Sequence, residues 1–199
     1  MKPSMGRVLT GLARSAVETS FASKPPEAGD LIGHVTPESM AEALARPAAT
    51  FVTLEGDSKL RGCIGTLIPL RPLGVDVVRN ARLATRDPRM PPVEPSEVPG
   101  LQVTVSVLSP ASALAVDSFA ALIGRLIPGT DGLTLHGARR RRATFLPTVW
   151  RSLPEPERFV AALLRKGGWP RDLWSTDLRS APWPPDLMAE RYTTELFTA

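Results

Sequence analysis

The only cysteine of the chain, Cys63, lies in the apolar segment KLRGCIGTLIPL at residues 59–70. Alternate side chains of a β-strand point to the same face, so a strand here places Cys63 beside Arg61 and Gly65. A nearby guanidinium lowers the pKa of a thiol and favours the nucleophilic thiolate. A glycine lets a ligand or another backbone approach the sulfur closely. The spacing therefore predicts a reactive thiol with Arg61 as its anion-binding neighbour.

A second interpretation of the same segment is structural. Free cysteine is among the most buried residue types and often acts as a small apolar side chain. Nucleophilic catalysis by a thiol usually needs a base, and the chain offers only His34 and His136. Neither stands at a spacing that supports a Cys–His pair or a metal site. Cys63 is thus either a reactive thiol or a residue that fills a crowded strand, and no metal site is predicted.

Two further polar segments are candidates for binding an anion. NARLATRDPRMPPV, residues 80–93, gathers Asn80, Asp87 and Arg89 around a predicted helix end. Asp87 either forms a weak surface ion pair with Arg89 or with the arginines of the preceding turn, which is common, or the group is an anion or substrate clamp beside the hairpin that carries Cys63. HGARRRRATF, residues 136–145, holds four consecutive arginines at 139–142. They either contact nucleic-acid phosphates or form a solvated hairpin turn, because no recognised nucleic-acid-binding module accompanies them.

Composition narrows the class of protein. A chain of 199 residues can bury about 70 % of its unfolded surface, so a core forms without disulfides. The formal net charge of +4 tolerates an anionic partner without requiring one. No run of about 18 apolar residues is available to span a membrane, and no membrane contact is expected. The charged residues near the start argue against a signal peptide, and a single cysteine suits a reducing compartment. We therefore expect a cytoplasmic protein.

Hydrophobic periodicity predicts helices and antiparallel strands in mixed order. The predicted helices cover residues 6–21, 37–46 with Thr36 as N-cap, 73 to the Asp87–Pro88 step, 117–127 and 155–166. The predicted strands are a hairpin of 51–54 with 60–65 around Gly56 and Asp57, a strand at 101–109, a second hairpin within 132–147 and one strand within 188–198. Residues 23–35 and the proline-rich 91–99 are predicted as loops. This order indicates an α+β fold with a mainly antiparallel or mixed sheet flanked by helices, not a regular βαβ repeat.

Several segments, taken together, resemble the AMMECR domain family, whose prokaryotic members are called AmmeMemoRadiSam system protein A. The matching segments occur in the family's order and spacing, and they are FVTLEGDSKLRGCIGTLIPLRPL, NARLATRDPRMPPV, LQVTVSVLSP, DGLTLHG, ATFLPTVW and FVAALLRKGGWPRDLW. The family's hallmark hexapeptide, LRGCIG at residues 60–65, is present without change. The resemblance covers nearly the whole chain, from about residue 9 to residue 197.

The resemblance implies a single domain over residues 1–199, made of a larger α+β subdomain and a smaller one packed on it, with boundaries that the sequence does not assign. It also implies a Memo-type protein and a radical S-adenosylmethionine protein as partners. It places the candidate site at the hexapeptide, with Cys63 and Arg61 as tentative catalytic residues. The tentative substrate-binding residues are Gly62, Gly65, Asn80, Asp87 and Arg89. Two positions depart from the family pattern: Met90 replaces a usual aromatic residue, and Gly167 a common alanine.

Two functional hypotheses follow. In the first, the protein acts with its partners in a nucleotide or nucleic-acid modification pathway, and Cys63 is a nucleophile or thiol carrier. In the second, it is a non-catalytic binding module or scaffold for a protein or RNA partner, and the hexapeptide is an architectural element. Neither the reaction, nor the substrate, nor a cofactor follows from the sequence.

Overall fold

The computed structural model describes residues 3–175 and 177–199, and it contains helices and two four-stranded sheets. The predicted α+β class is confirmed, and every strand pair with an assigned register is antiparallel. The chain divides into two compact units. The first contains residues 3–108 and 195–199, and the second contains residues 109–194.

Six α-helices and eight strands are assigned within the described residues. The helices are α1 (Pro3–Thr19), α2 (Ala28–Val35), α3 (Ala41–Ala45), α4 (Leu73–Ala84), α5 (Phe119–Arg125) and α6 (Pro156–Lys166). The strands are β1 (Thr50–Gly56), β2 (Lys59–Gly65), β3 (Gln102–Leu108), β4 (Ser112–Leu114), β5 (Gly132–His136), β6 (Arg142–Phe145), β7 (Met188–Tyr192) and β8 (Thr194–Thr198). None of the described helices has the length and apolar character needed to cross a bilayer.

The first unit is a sheet of order β2-β1-β3-β8 with helices against one face. The alternation in β1 and β3 turns Val52, Leu54 and Val105 into the core, where all three are fully buried. Helices α1 and α4 supply the other side of this core with apolar residues at spacings of three and four, such as Leu9 and Leu12. The intervening side chains of β1 and β2 therefore point to the opposite face of the sheet, away from the helices.

The second unit has its own sheet, of order β4-β7-β5-β6, and its own core. Leu133 and Leu135 of β5 are fully buried. The ring of Phe159, from α6, stacks on Trp150 with centroids 3.7 Å apart. Because β6 ends the sheet order, one side of this strand has no strand neighbour. The β5–β6 hairpin carries the four consecutive arginines at its tip.

One predicted loop is a helix. Residues 28–35 form α2, and Thr36 caps the end of that helix instead of the beginning of the next. Glu27 and Asp30 form a reciprocal capping box at the start of α2, and Leu31 packs into the core. The two glycines of this segment hid its helical pattern, because glycine is a weak helix former. The predicted helix over 37–46 is a 3₁₀ turn, Glu38–Met40, followed by α3.

Three other predictions need correction, and one strand was missed. The β1–β2 turn is centred on Asp57 and Ser58, which have positive φ, and not on Gly56 and Asp57, because the strand continues through Gly56. The proline-rich segment contains a 3₁₀ helix, Pro95–Gly100, which the prolines permit at its first turn. The short strand β4 was not predicted. The single strand predicted at the end is two strands, β7 and β8, which join different sheets on either side of Thr193.

Candidate functional site

The single thiol lies in the middle of β2, on the sheet face that points away from the helices. Cys63 pairs with Thr53 of β1 in antiparallel register, and its side chain is half-buried. The Thr53 hydroxyl donates a hydrogen bond to the Cys63 Sγ over 3.3 Å. A donor at this position stabilises negative charge on the sulfur. The strand therefore presents a sulfur whose immediate polar neighbour favours the thiolate.

Asp87 anchors the site from the loop that follows α4. Its side chain is fully buried, and one carboxylate oxygen accepts the backbone N–H of Cys63 over 2.9 Å. The pKa of Asp87 lies far below its ordinary value, mainly because the side chain of Arg89 donates hydrogen bonds to the carboxylate. Backbone N–H donors of Cys63 and Arg89 act in the same direction, while burial opposes them. Asp87 is thus a permanent carboxylate that ties the loop to β2.

Arg89 brings a positive charge to the thiol. Its guanidinium binds Asp87 through Nε (2.9 Å) and Nη2 (2.5 Å), and the same Nη2 donates to the carbonyl of Cys63 over 2.7 Å. The pKa of Arg89 is raised mainly by its side-chain hydrogen bond with Asp87. The charge and a hydrogen bond of the Cys63 side chain raise it further. With 57 % of its side chain exposed, Arg89 binds the backbone of Cys63 and also faces the solvent.

Arg61 has a different environment from the one expected. Its guanidinium forms a two-pronged ion pair with Glu97, through Nε–Oε1 (2.6 Å) and Nη2–Oε2 (2.8 Å). The hydrogen bonds of Arg61 are the first cause that lowers the pKa of Glu97 to about 2. This pair ties β2 to the 3₁₀ helix Pro95–Gly100 and neutralises the Arg61 charge. Arg89, not Arg61, is therefore the cation at the thiol.

The two glycines of the hexapeptide are explained by close packing. A Cβ on Gly62 would lie 2.0 Å from the carbonyl oxygen of Ala84, at the end of α4. A Cβ on Gly65 would lie 2.2 Å from the ring of Phe51. Gly62 lets the helix end approach the strand, and Gly65 lies against an aromatic ring, which occupies the space expected for a ligand.

Most of the chain matches the model of a known family. Residues 10–196 match the model of the AMMECR1 family. The chain belongs to the AMMECR1 family. A relative from Methanothermobacter thermautotrophicus is 31 % identical over 199 residues, covering 96 % of this chain and 93 % of that protein. A Thermococcus kodakarensis relative is 32 % identical over 209 residues, covering 99 % and 91 %.

A solved structure shares the fold along nearly the whole chain. It is the crystal structure of an uncharacterised protein from Pyrococcus horikoshii, with a TM-score of 0.82 and 28 % sequence identity. The alignment covers 98 % of this chain and 92 % of that one. The resemblance found in the sequence is thus confirmed.

Asn80, the remaining predicted site residue, lies away from the thiol of this AMMECR1 protein. It is fully buried on α4, and its amide donates to the carbonyl and hydroxyl of Thr50 and to Asp76, each over 3.0 Å. The same Asp76 oxygen accepts the hydroxyls of Thr50 (2.8 Å) and Thr66 (2.5 Å). These groups form a polar network on the helix side of the sheet, which joins α4 to β1 and to Thr66, the residue that follows β2.

The two histidines have separate surroundings. His34 is exposed on α2, and His136 contacts Glu190 in the second unit over 2.9 Å. No group of three or more His, Cys, Asp or Glu side chains that could hold a metal ion occurs in the described part of the chain. The polar contacts described for Cys63 are those with Thr53, Asp87 and Arg89.

The two positions at which the resemblance implies other residues, 90 and 167, have different surroundings. A Cβ on Gly167 would lie 2.0 Å from the ring of Trp169 and 2.9 Å from the Cβ of Ala143, so in this chain the tryptophan occupies the space that an alanine side chain would need. Met90 donates its backbone N–H to the Asp87 carbonyl over 3.0 Å. The loop that bears Asp87 and Arg89 is thus closed by a backbone bond that does not depend on the identity of residue 90.

Sequence reasoning missed Thr53, Glu97 and Asp76. Thr53 could have been found from the hairpin register, because it faces Cys63 across the strand pair. No local signal marks Glu97, which is 36 residues from Arg61, or Asp76, which serves the buried network.

Proposed function

We propose that this AMMECR1-family protein uses Cys63 as a nucleophilic or carrier thiol in a cytoplasmic nucleotide or nucleic-acid modification pathway, together with a Memo-type protein and a radical S-adenosylmethionine protein. The observation that carries the proposal is the contact of the Arg89 guanidinium with Cys63 while Asp87 holds both. A guanidinium bound to the backbone of the cysteine and a hydroxyl that donates to its sulfur favour the thiolate without a histidine base.

The chemistry that this site supports is transfer of a group on an electrophilic carbon. The thiol first releases its proton to solvent. The Cys63 thiolate then forms an S–C bond, and the leaving group departs with the electron pair of the broken bond. Attack by an acceptor breaks the S–C bond and returns the electron pair to sulfur. The exposed part of Arg89 binds an anionic group of the substrate, such as a phosphate.

The pH dependence of Cys63 alkylation by iodoacetamide tests the proposal, because no other cysteine interferes. We expect the folded protein to react with an apparent pKa below the ordinary thiol value of about 8.5. Arg89→Gln should move the apparent pKa upward, and Arg89→Lys should move it less. A thiol that reacts only after unfolding, or an unchanged profile in Arg89→Gln, contradicts the proposal.

Arg86→Gln is the matched control, because it removes an exposed arginine from the same loop region. Its alkylation profile should equal that of the wild type. Circular dichroism of each variant separates loss of thiol activation from loss of the fold. Cys63→Ser should abolish group transfer with nearly unchanged thermal stability, and a fully active Cys63→Ser protein contradicts the nucleophile.

A second candidate function is a non-catalytic binding module. The packing of Gly62 against Ala84 and of Gly65 against Phe51 favours it, because architecture alone then explains both glycines. Pull-down of the two proposed partners with wild-type protein and with Cys63→Ser distinguishes the two functions. Equal partner binding and equal pathway activity of both proteins support the module. Failure of the wild type to bind either partner contradicts the assignment to that system.

A further inference from the structure

The tip of the β5–β6 hairpin is a tight turn built from arginines. Gly137 donates to the carbonyl of Arg141 (2.9 Å), and Arg141 donates to the carbonyl of Ala138 (3.1 Å). The two central residues, Arg139 and Arg140, have φ of 55° and 61°. Positive φ at both central positions is typical of a type I′ turn, which strongly prefers Asn-Gly, Asp-Gly or Gly-Gly.

Arginine is a poor choice for this turn on structural grounds. In the left-handed region the Cβ of an L-residue crowds the following carbonyl, and only glycine, asparagine and aspartate adopt it routinely. The comparable β1–β2 turn of the same chain places the permitted Asp57 at its first central position. Two adjacent arginines therefore keep a strained backbone at a position that contributes nothing to the core. Such an outlier is a reason to look for a function.

One carboxylate reaches the turn, because Asp186 accepts the backbone N–H of Ala138, but the arginine side chains of the tip have no assigned ion pair in the part of the chain that the structure describes. Arg139, Arg140 and Arg142 are exposed, and within the described residues none of the three forms an ion pair with a carboxylate. Residues 109–194 contain twelve basic and eight acidic side chains, so this unit carries the whole formal net charge of +4. The tip is the densest part of that surplus.

Two cations next to the tip make cation–π contacts with aromatic rings. The guanidinium of Arg141 lies 5.4 Å from the ring centroid of Trp169. Lys166, at the end of α6, lies 5.0 Å from the ring of Phe145 and donates to the carbonyl of Thr144 over 2.8 Å. Arg141 and Lys166 are thereby held along β6, the last strand of its sheet. The positive surface thus extends from the turn along the strand.

Protection of an edge strand against aggregation is the simplest other explanation. Charged side chains on an exposed edge prevent pairing with another chain. That explanation accounts for Arg142 on β6 but not for arginines in the strained turn, where asparagine and glycine would protect equally well and fit better. It therefore leaves Arg139 and Arg140 unexplained.

We propose that the arginine tip, residues 139–142, binds the phosphodiester backbone of nucleic acid without reading its sequence. Guanidinium groups match phosphate oxygens in a two-pronged geometry. Duplex DNA presents about one negative charge per 1.7 Å of helix axis, whereas an extended acidic peptide adds at most one charged residue per about 3.3 Å. Nucleic acid therefore offers the arginine tip the higher density of negative charge. Trp169 is only 5 % exposed and offers no platform for base stacking. Backbone contact is the chemistry that remains, and it does not depend on the thiol chemistry of Cys63.

The test compares the wild-type full chain with the double variant Arg139→Asn/Arg140→Gly. The probe is a fluorescein-labelled mixed-sequence oligonucleotide, used as single-stranded RNA and as duplex DNA. We expect the wild type to bind both with affinity that falls linearly on a log–log plot between about 50 and 200 mM salt. The variant should bind several-fold more weakly. Its slope should be smaller by about 1.4 for a single strand, because each lost phosphate contact removes about 0.7. Its Tm should rise, because Asn-Gly relieves the turn.

Arg125→Gln/Arg151→Gln is the control, since it removes two exposed arginines from the same unit. This control should keep the wild-type affinity and slope. A labelled polyglutamate peptide tests the competing class of ligand. The proposal is overturned if nucleic acid does not bind at low salt, if polyglutamate binds equally well, or if the tip variant and the control lose the same affinity. Cysteine alkylation is independent of all these outcomes.

Discussion

At the scale of single residues, one buried carboxylate organises the candidate site. Asp87 binds the backbone of Cys63 and the side chain of Arg89 at the same time. Hydrogen bonds to a charged group are stronger than those between neutral groups. The fully buried Asp87 therefore fixes where the guanidinium lies relative to the sulfur. Arg61, although closer in sequence, is bound by Glu97 and does not take this role.

Asp87→Asn should destabilise the protein by about 2 kcal/mol at neutral pH, because buried donors lose a charged acceptor. The folded-state pKa of Asp87 lies below the unfolded value of 3.8. Its stabilisation is thus present above that value and is lost as the pH falls further. Urea unfolding of both proteins across this pH range measures the difference. Asp57→Asn, an exposed exchange in a turn, is the control; an equal effect of both variants contradicts the role of Asp87.

Tyr192, the only tyrosine, should titrate late. Burial is the main cause that raises its pKa to about 12 from 10.0, while the hydrogen bond with Thr144 acts in the opposite direction. A raised folded-state pKa gives stability that is present below pH 10 and is lost as the pH rises toward 12. Tyrosinate absorbance measures both values, in native buffer and in urea. Titration near the ordinary value in native buffer would contradict this burial.

At the scale of elements, the hexapeptide strand is defined by how closely α4 approaches it. The carbonyl of Ala84 lies where a Gly62 side chain would be. Backbone atoms at the end of a packed helix move less easily than the tip of a flexible side chain. Asp87, which binds Cys63, follows this helix end by three residues. Gly62 thereby allows the loop after α4 to reach β2. The close packing of α4 on the strand and the contact of Asp87 with Cys63 therefore both depend on this glycine.

Gly62→Ala should destabilise the first unit by about 3 kcal/mol, since the added methyl overpacks a tight contact. It should also speed proteolysis of the loop over residues 85–94. Gly33→Ala is the matched control, because nothing lies within 4 Å of the added methyl on α2, and alanine is the better helix former by up to about 1 kcal/mol. Thermal unfolding measures both. A Gly62→Ala protein as stable as Gly33→Ala would refute the close approach.

At the scale of the whole molecule, core and charge are distributed over two units. Each unit has its own sheet and its own cluster of buried residues. The first unit, with the thiol, has twelve acidic and twelve basic residues, whereas the second carries the positive surplus. Electrostatic attraction of anions therefore belongs to the second unit, and thiol chemistry belongs to the first.

Hydrogen exchange should show two protected regions, one in each unit. The central strands β1 and β3, and likewise β5 and β7, should exchange most slowly, because their backbone groups are paired on both sides and buried. Residues 66–71 and 137–141 should exchange quickly. Mass spectrometry of peptides from the labelled protein gives these rates. Loop-like exchange throughout the sheet of the second unit would contradict an independent core there.

The sequence by itself determined the features that depend on neighbouring residues. Helical spacing located α1, α4 and α6, alternation located β3, and turn residues located the first hairpin, because these patterns express local periodicity and burial. The hexapeptide and its companion segments were enough to indicate the family. The helix α2 was missed because its glycines weaken the local pattern, while its stability comes from the capping box and from packing of Leu31.

Only the tertiary structure decided which side chains meet at the thiol. Arg89 reaches Cys63 from 26 residues away, and Arg61 reaches Glu97 from 36 residues away. Such pairings depend on the path of the intervening loop and on how closely α4 packs on β2, and neither is encoded in local spacing. The alternation that predicted Arg61 and Cys63 on one face is broken at Arg61, because β2 shifts by one residue against β1 between Leu54 and Glu55. Tertiary packing gave Arg61 a carboxylate partner and left Arg89 as the cation beside the sulfur.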